Sequence, residues 1–133
     1  MTTPQSIRPL VLVADDDEDI LALVTFSLRR DGYEVVQARD GAEALELARE
    51  RRPAALVLDV MMPKASGFDV TRALRAEGND VPILLLTASV QERHRARGLA
   101  AGASDFVRKP FSPRELLERV ARLVGAREEA TFA

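Results

Sequence analysis

The sequence contains no cysteine, which excludes disulfide staples, thiolate zinc sites and cysteine nucleophiles. It says nothing of redox compartment, because a chain without thiols suits any. There is little net charge: a formal −2 gives no global basic field and no argument for nucleic acid as a direct partner. No apolar run approaches the ~20 residues of a bilayer span. Met1 to Arg8 holds no apolar stretch of signal-peptide length, so the cytoplasm is the expected compartment. Internal repeats and low-complexity segments are also missing. What is present is a 133-residue chain, 47% hydrophobic and 30% charged, the balance of one soluble globular domain. The expected domain spans 9–125, with short flexible tails at 1–8 and 126–133.

Two kinds of segment alternate along it. Leu10-Val11-Leu12-Val13, Leu56-Val57-Leu58 and Ile83-Leu84-Leu85-Leu86 are short apolar runs without period-2 alternation, as expected of parallel strands covered on both faces. Weaker runs lie at Tyr33–Val36 and Phe106-Val107. Between them are helical patterns. The first carries Ile20, Leu23, Val24, Phe26 and Leu28 and ends before Gly32. Gly41 opens the second, with Ala44, Leu45 and Ala48 inward; Phe68, Val70, Ala73 and Leu74 mark the third, stopped at Gly78-Asn79. A fourth runs from Val90 to Ala101, stopped by Gly102. Ser112-Pro113-Arg114-Glu115 reads as cap, first-turn proline and capping-box acid of a fifth, running to Val124 with Gly125 as its stop. Five βα units with short loops predict an α/β fold, one doubly wound five-stranded parallel sheet with helices on both faces.

In such sheets ligands lie beyond the carboxyl ends of the strands. Asp15 and Asp16 follow strand 1, and Asp59, Thr87 and Lys109 end strands 3, 4 and 5. Three carboxylates at one edge raise each other's pKa or recruit a cation. An oxygen-only donor set suits Mg²⁺, or Mn²⁺. Lys109 adds positive charge and Thr87 a hydroxyl for a phosphoryl oxygen. Asp59, the acid closing a buried strand, then fits the role of carboxylate nucleophile forming an acyl phosphate. Each residue alone admits a plainer role. Asp17, Glu18 and Asp19 read as cap and first-turn acids, and Asp15-Asp16 could belong to the same run. Lys109 could be a surface lysine and Thr87 a strand-end residue.

With these residues placed, the sequence resembles a response-regulator receiver domain of two-component signalling, over about Pro9 to Val124. The likeness rests on Val11–Glu18, on Leu56–Pro63 with Gly67-Phe68, on Ile83–Ala88, and on Gly102–Phe111. It implies a flavodoxin-like sheet in the order 2-1-3-4-5, with Asp59 as phosphoacceptor. It implies Mg²⁺ held by Asp16, Asp59 and the Met61 backbone carbonyl, with Asp15 assisting through water. Thr87 and Lys109 would bind phosphoryl oxygens, small Ala88 leaving room, and Lys109–Pro110 would be cis. Phe106 matches an aromatic switch position that turns inward with Thr87; plain core packing is its other reading. The donor would be a sensor histidine kinase or a phosphotransfer protein. The chain would be a signalling switch with no membrane partner, catalysing only its own phosphorylation and dephosphorylation.

Departures from the family pattern are Ala54 and Ser66, each where an Asp is common, and Phe106 in place of tyrosine. Met61 and Ser89 stand where the family tunes dephosphorylation. Arg95, Asp105, Glu115 and Arg119 match charges that form a phosphorylation-favoured dimer face in winged-helix regulators. Ala100 and Ser104 replace acids there, so a solvated helix surface is the alternative. His94, the only histidine, reads as a surface residue rather than a phosphodonor. A dehalogenase-like phosphatase would need a second Asp two residues after Asp59, where Met61 stands. A nucleotide binder would need glycines rather than acids after strand 1. A pseudo-receiver, a protein-interaction module without phosphorylation, would not need the full set of site residues.

Overall fold

The computed structural model describes residues 8–88 and 91–132, with backbone alone for 92–95 and 127–132. Strands β1 (Leu10–Ala14), β2 (Glu34–Ala38), β3 (Ala55–Asp59), β4 (Ile83–Thr87) and β5 (Asp105–Arg108) alternate with helices α1 (Glu18–Arg30), α2 (Gly41–Arg51), α3 (Gly67–Ala76), α4 (Glu92–Ala101) and α5 (Pro113–Phe132). The five strands form one sheet in the order β2-β1-β3-β4-β5, parallel throughout. This is the doubly wound sheet expected from the alternating segments, in the flavodoxin-like order that the resemblance implies.

The apolar runs explain the layering. Every residue of β3 and β4 is buried, so successive side chains feed opposite faces. Leu12, Leu56, Leu58, Ile83 and Leu85 pack with Ala44 and Ala48 of α2 and Phe68, Val70 and Leu74 of α3. Val11, Val13, Val57, Leu84 and Leu86 pack with Leu21, Val24 and Leu28 of α1 and Leu116, Val120 and Val124 of α5. Each fully buried Leu or Val contributes about 1.5–3 kcal/mol of transfer free energy. Two cores thus grip the central strands from both sides and hold their carboxyl ends level.

Three boundaries differ from expectation. β2 is shifted to Glu34–Ala38, because it pairs in register with all of β1, from Leu10↔Glu34 to Ala14↔Ala38. α4 starts at Glu92; Ser89 and Val90, like the N-terminal 1–7, lie outside the described residues. Gly125 does not stop α5, which continues to Phe132, so 126–132 are helical. A helical glycine costs about 1 kcal/mol against alanine, and the Ala, Arg and Glu residues that follow are strong helix formers. Among the described residues no helix is long and apolar enough to cross a membrane.

Candidate functional site

The turn from β1 into α1 sends consecutive acids in different directions. Asp15 is completely buried, whereas Asp16 is exposed. Asp17 caps α1, its carboxylate accepting the N–H groups of Asp19 and Ile20. The Asp15 carboxylate is pinned on both oxygens: Oδ1 accepts from the Asp17 N–H at 2.9 Å, and Oδ2 lies 3.1 Å from Lys109 Nζ. Capping and site building therefore share one acidic run.

Asp59 closes β3 with 6% of its surface exposed. Its Oδ1 lies 3.2 Å from Lys109 Nζ and accepts a long hydrogen bond from the Met61 N–H at 3.4 Å. Lys109 comes one residue after β5, and its N–H donates to the Thr87 carbonyl at 2.7 Å. The Lys109–Pro110 bond is cis. Thr87, the buried last residue of β4, stands beside Arg108 in the sheet. Asp15, Asp16, Asp17, Asp59, Met61, Ala88 and Lys109 line one open cleft at this edge.

Burial, then the charge of Asp15, pushes the Asp59 carboxyl up to about 6, against the opposing pull of Lys109 and the Met61 N–H. For Lys109, burial works to lower the pKa, but the Asp15 and Asp59 carboxylates outweigh it and raise the ammonium above its ordinary value. The cleft thus sets four acids against one lysine, and Asp17 among them is spent on capping α1. Asp15, Asp16 and Asp59 can each direct an oxygen to within 4.8 Å of the others. Hard donors, two of them buried and sharing a single ammonium, fit a small divalent cation such as Mg²⁺.

The face of α4, β5 and α5 is partly satisfied within the chain. Arg119 Nη1 lies 2.8 and 2.9 Å from the Asp105 oxygens, and Nη2 lies 3.7 Å from Glu115. The side chains of His94 and Arg95 lie outside the described residues. Phe106 is half-buried and packs on the α2–α3 side of the sheet.

Three contributions were missed in the sequence. Ser66 forms a full capping box with Asp69 at the start of α3, a Ser-x-x-Asp pattern that was legible. Asp40 caps α2 by accepting the Glu43 N–H at 2.8 Å. Gly41 and Gly67 let the loop between β3 and α3 approach its neighbours more closely than any side chain allows, and no local pattern signals that.

The family profile described as response regulator receiver domain matches residues 11–121. The transcriptional regulatory protein PrrA of Mycobacterium tuberculosis is 50% identical over 119 residues, covering 90% of this chain and 51% of PrrA. The chain therefore spans about half the length of that relative. The receiver domain of the Francisella response regulator 1452 superimposes with a TM-score of 0.87 at 34% identity, covering 90% of this chain and 99% of that one. The receiver domain of the sensor histidine kinase PA1611 from Pseudomonas aeruginosa PAO1, solved with a magnesium ion coordinated in its active-site cleft, has a TM-score of 0.82 at 32% identity, covering 89% and 98%.

Proposed function

We propose, starting from the fact that the chain belongs to the response-regulator receiver family, that Asp59 accepts a phosphoryl group from a phosphohistidine. The observation that carries this reading is Lys109 Nζ lying 3.1 Å from Asp15 and 3.2 Å from Asp59. It places one cation between a buried positioning acid and the acid that closes β3.

An Asp59 oxygen attacks phosphorus, the P–O bond forms as the P–N bond to the donor imidazole breaks, and the freed nitrogen takes a proton. Lys109 meets the growing charge on the phosphoryl oxygens, and the Thr87 hydroxyl donates to one of them. Asp15 holds Lys109 in place. Asp16, Asp59 and the Met61 carbonyl, with Asp15 through water, would hold Mg²⁺ or Mn²⁺, which neutralises charge at the phosphoryl oxygens when bound. Water attack at phosphorus then breaks the P–O bond to Asp59, releasing inorganic phosphate and restoring the free carboxylate.

The donor is a sensor histidine kinase or a phosphotransfer protein, and the exchange is cytoplasmic, where ATP charges the kinase. The product is a change in the surface formed by α4, β5 and α5, read through Thr87 and Phe106, with Arg95, Asp105, Glu115 and Arg119 as a dimer face. PrrA is named a transcriptional regulator, and that activity belongs to the longer protein.

The test is intact-mass analysis after acetyl phosphate, or beryllofluoride, with Mg²⁺. Wild type gains the adduct and Asp59→Asn does not. An adduct surviving the substitution would sink the assignment.

A further inference from the structure

Gly41 is the first residue of α2 and sits outside the cleft. Its φ is not left-handed, so glycine is not needed there for backbone freedom. Space is the reason. A Cβ on Gly41 would lie 2.0 Å from the Ala65 carbonyl oxygen and 2.6 Å from its carbonyl carbon and Cβ. The backbone of the β3–α3 loop occupies that volume. The Gly41 N–H, one of the donors a helix start leaves unpaired, donates to the Pro63 carbonyl at 3.1 Å. Asp40, the cap of the same helix, lies 3.8 Å from Lys64 Nζ, and Lys64 takes a left-handed φ of 70°.

The far end of the loop is seated in the same way. A Cβ on Gly67 would lie 2.7 Å from the Asp59 carbonyl oxygen, and the Gly67 N–H donates to the Val60 carbonyl at 2.9 Å. Met62 packs on the core beside α2 and α3. The segment between Asp59 and Gly67 is therefore clamped by two glycines, one from a different βα unit. Met61 lies inside it.

We propose that Gly41 is a positioning residue for the cation of the cleft: by letting α2 touch the loop backbone at Pro63 and Ala65, it fixes the Met61 carbonyl at coordinating position. The inference rests on the cation reading of the cleft above. Gly41→Ala replaces no candidate ligand and improves helix propensity. Any harm must come through the loop.

Gly41→Ala, Pro63→Gly and a control, Val124→Ala, are compared with wild type in the full chain. Val124 lies in the α1–α5 core on the other side of the sheet. Folding is followed by circular dichroism and urea unfolding, and MgCl₂ binding by calorimetry and amide NMR. Gly41→Ala is expected to fold and to bind Mg²⁺ at least threefold more weakly, with Val124→Ala unchanged. A loss of less than threefold, or an equal loss in Val124→Ala, overturns the inference. Should Gly41→Ala fail to fold, Pro63→Gly decides by the same threshold, since it loosens the loop without a clash. Wild type that binds no Mg²⁺ sinks the cation reading itself, and the inference with it. That outcome is separate from wild type binding and the variant matching it.

Discussion

The ring tip of Phe106 fills the place where a side chain at Gly98 would begin: a Cβ there would lie 2.2 Å from Phe106 Cζ. An alanine in mid-helix normally stabilises by roughly 0.5–1 kcal/mol over glycine. Here overpacking works against it, typically by about 1–3 kcal/mol. Gly98→Ala is therefore expected to lose about 1–2 kcal/mol in urea unfolding. In a Phe106→Ala background the same change is expected to be neutral or stabilising. A destabilisation of equal size in both backgrounds would remove the ring as its cause.

Asp59 carries a pH signature in the metal-free protein. Its folded pKa of about 6 lies above the ordinary 3.8, so the fold favours the protonated acid. That stabilisation is complete below 3.8 and is lost as pH rises through 6. At pH 7 the gap corresponds to roughly 3 kcal/mol as an upper figure. Asp59→Asn should accordingly raise stability at neutral pH and give almost no gain near pH 4. Denaturation curves across that range check it; a gain that grows toward acid pH has the wrong sign.

Lys109 bridges Asp15 and Asp59. Lys109→Met keeps much of the side-chain volume and leaves Asp15, wholly buried, without its ammonium. Removing one partner of a buried pair costs about 3–5 kcal/mol. The metal-free variant should lose that much at neutral pH, and millimolar Mg²⁺ should restore part of it. A loss below about 1 kcal/mol would mean that the pair is solvated in solution.

Ser66→Ala removes the Oγ that accepts the Asp69 N–H at 3.1 Å. The expected loss is about 1 kcal/mol, read as a lower urea midpoint with unchanged slope. Mg²⁺ affinity should barely move, since the Gly67 and Gly41 contacts remain.

Much of this architecture was legible because its strands are buried on both faces. Leu56-Val57-Leu58 needs no alternation, and an acid closing it stood out. Lys109 was legible only through its place after the last strand. Asp17 was read correctly as a cap, yet it also steadies Asp15 through its backbone, which composition does not show. Gly125 misled because a glycine after an apolar helix stops it only when the backbone turns left-handed, and the strong helix formers beyond kept it straight. Gly41 and Gly98 were silent for another reason. Each is small because a residue distant in sequence passes close by.

The contact between Lys109 and Asp15 joins positions 94 residues apart. Asp59 is synthesised well before the lysine, and no short fragment contains both. With every strand parallel, no local hairpin can assemble the cleft early, so these groups meet only after the last strand has docked. On the proposed reading, competence to take a phosphoryl group waits for the docking of β5. A half-wound copy would carry Asp59 without the ammonium that faces it in the finished sheet.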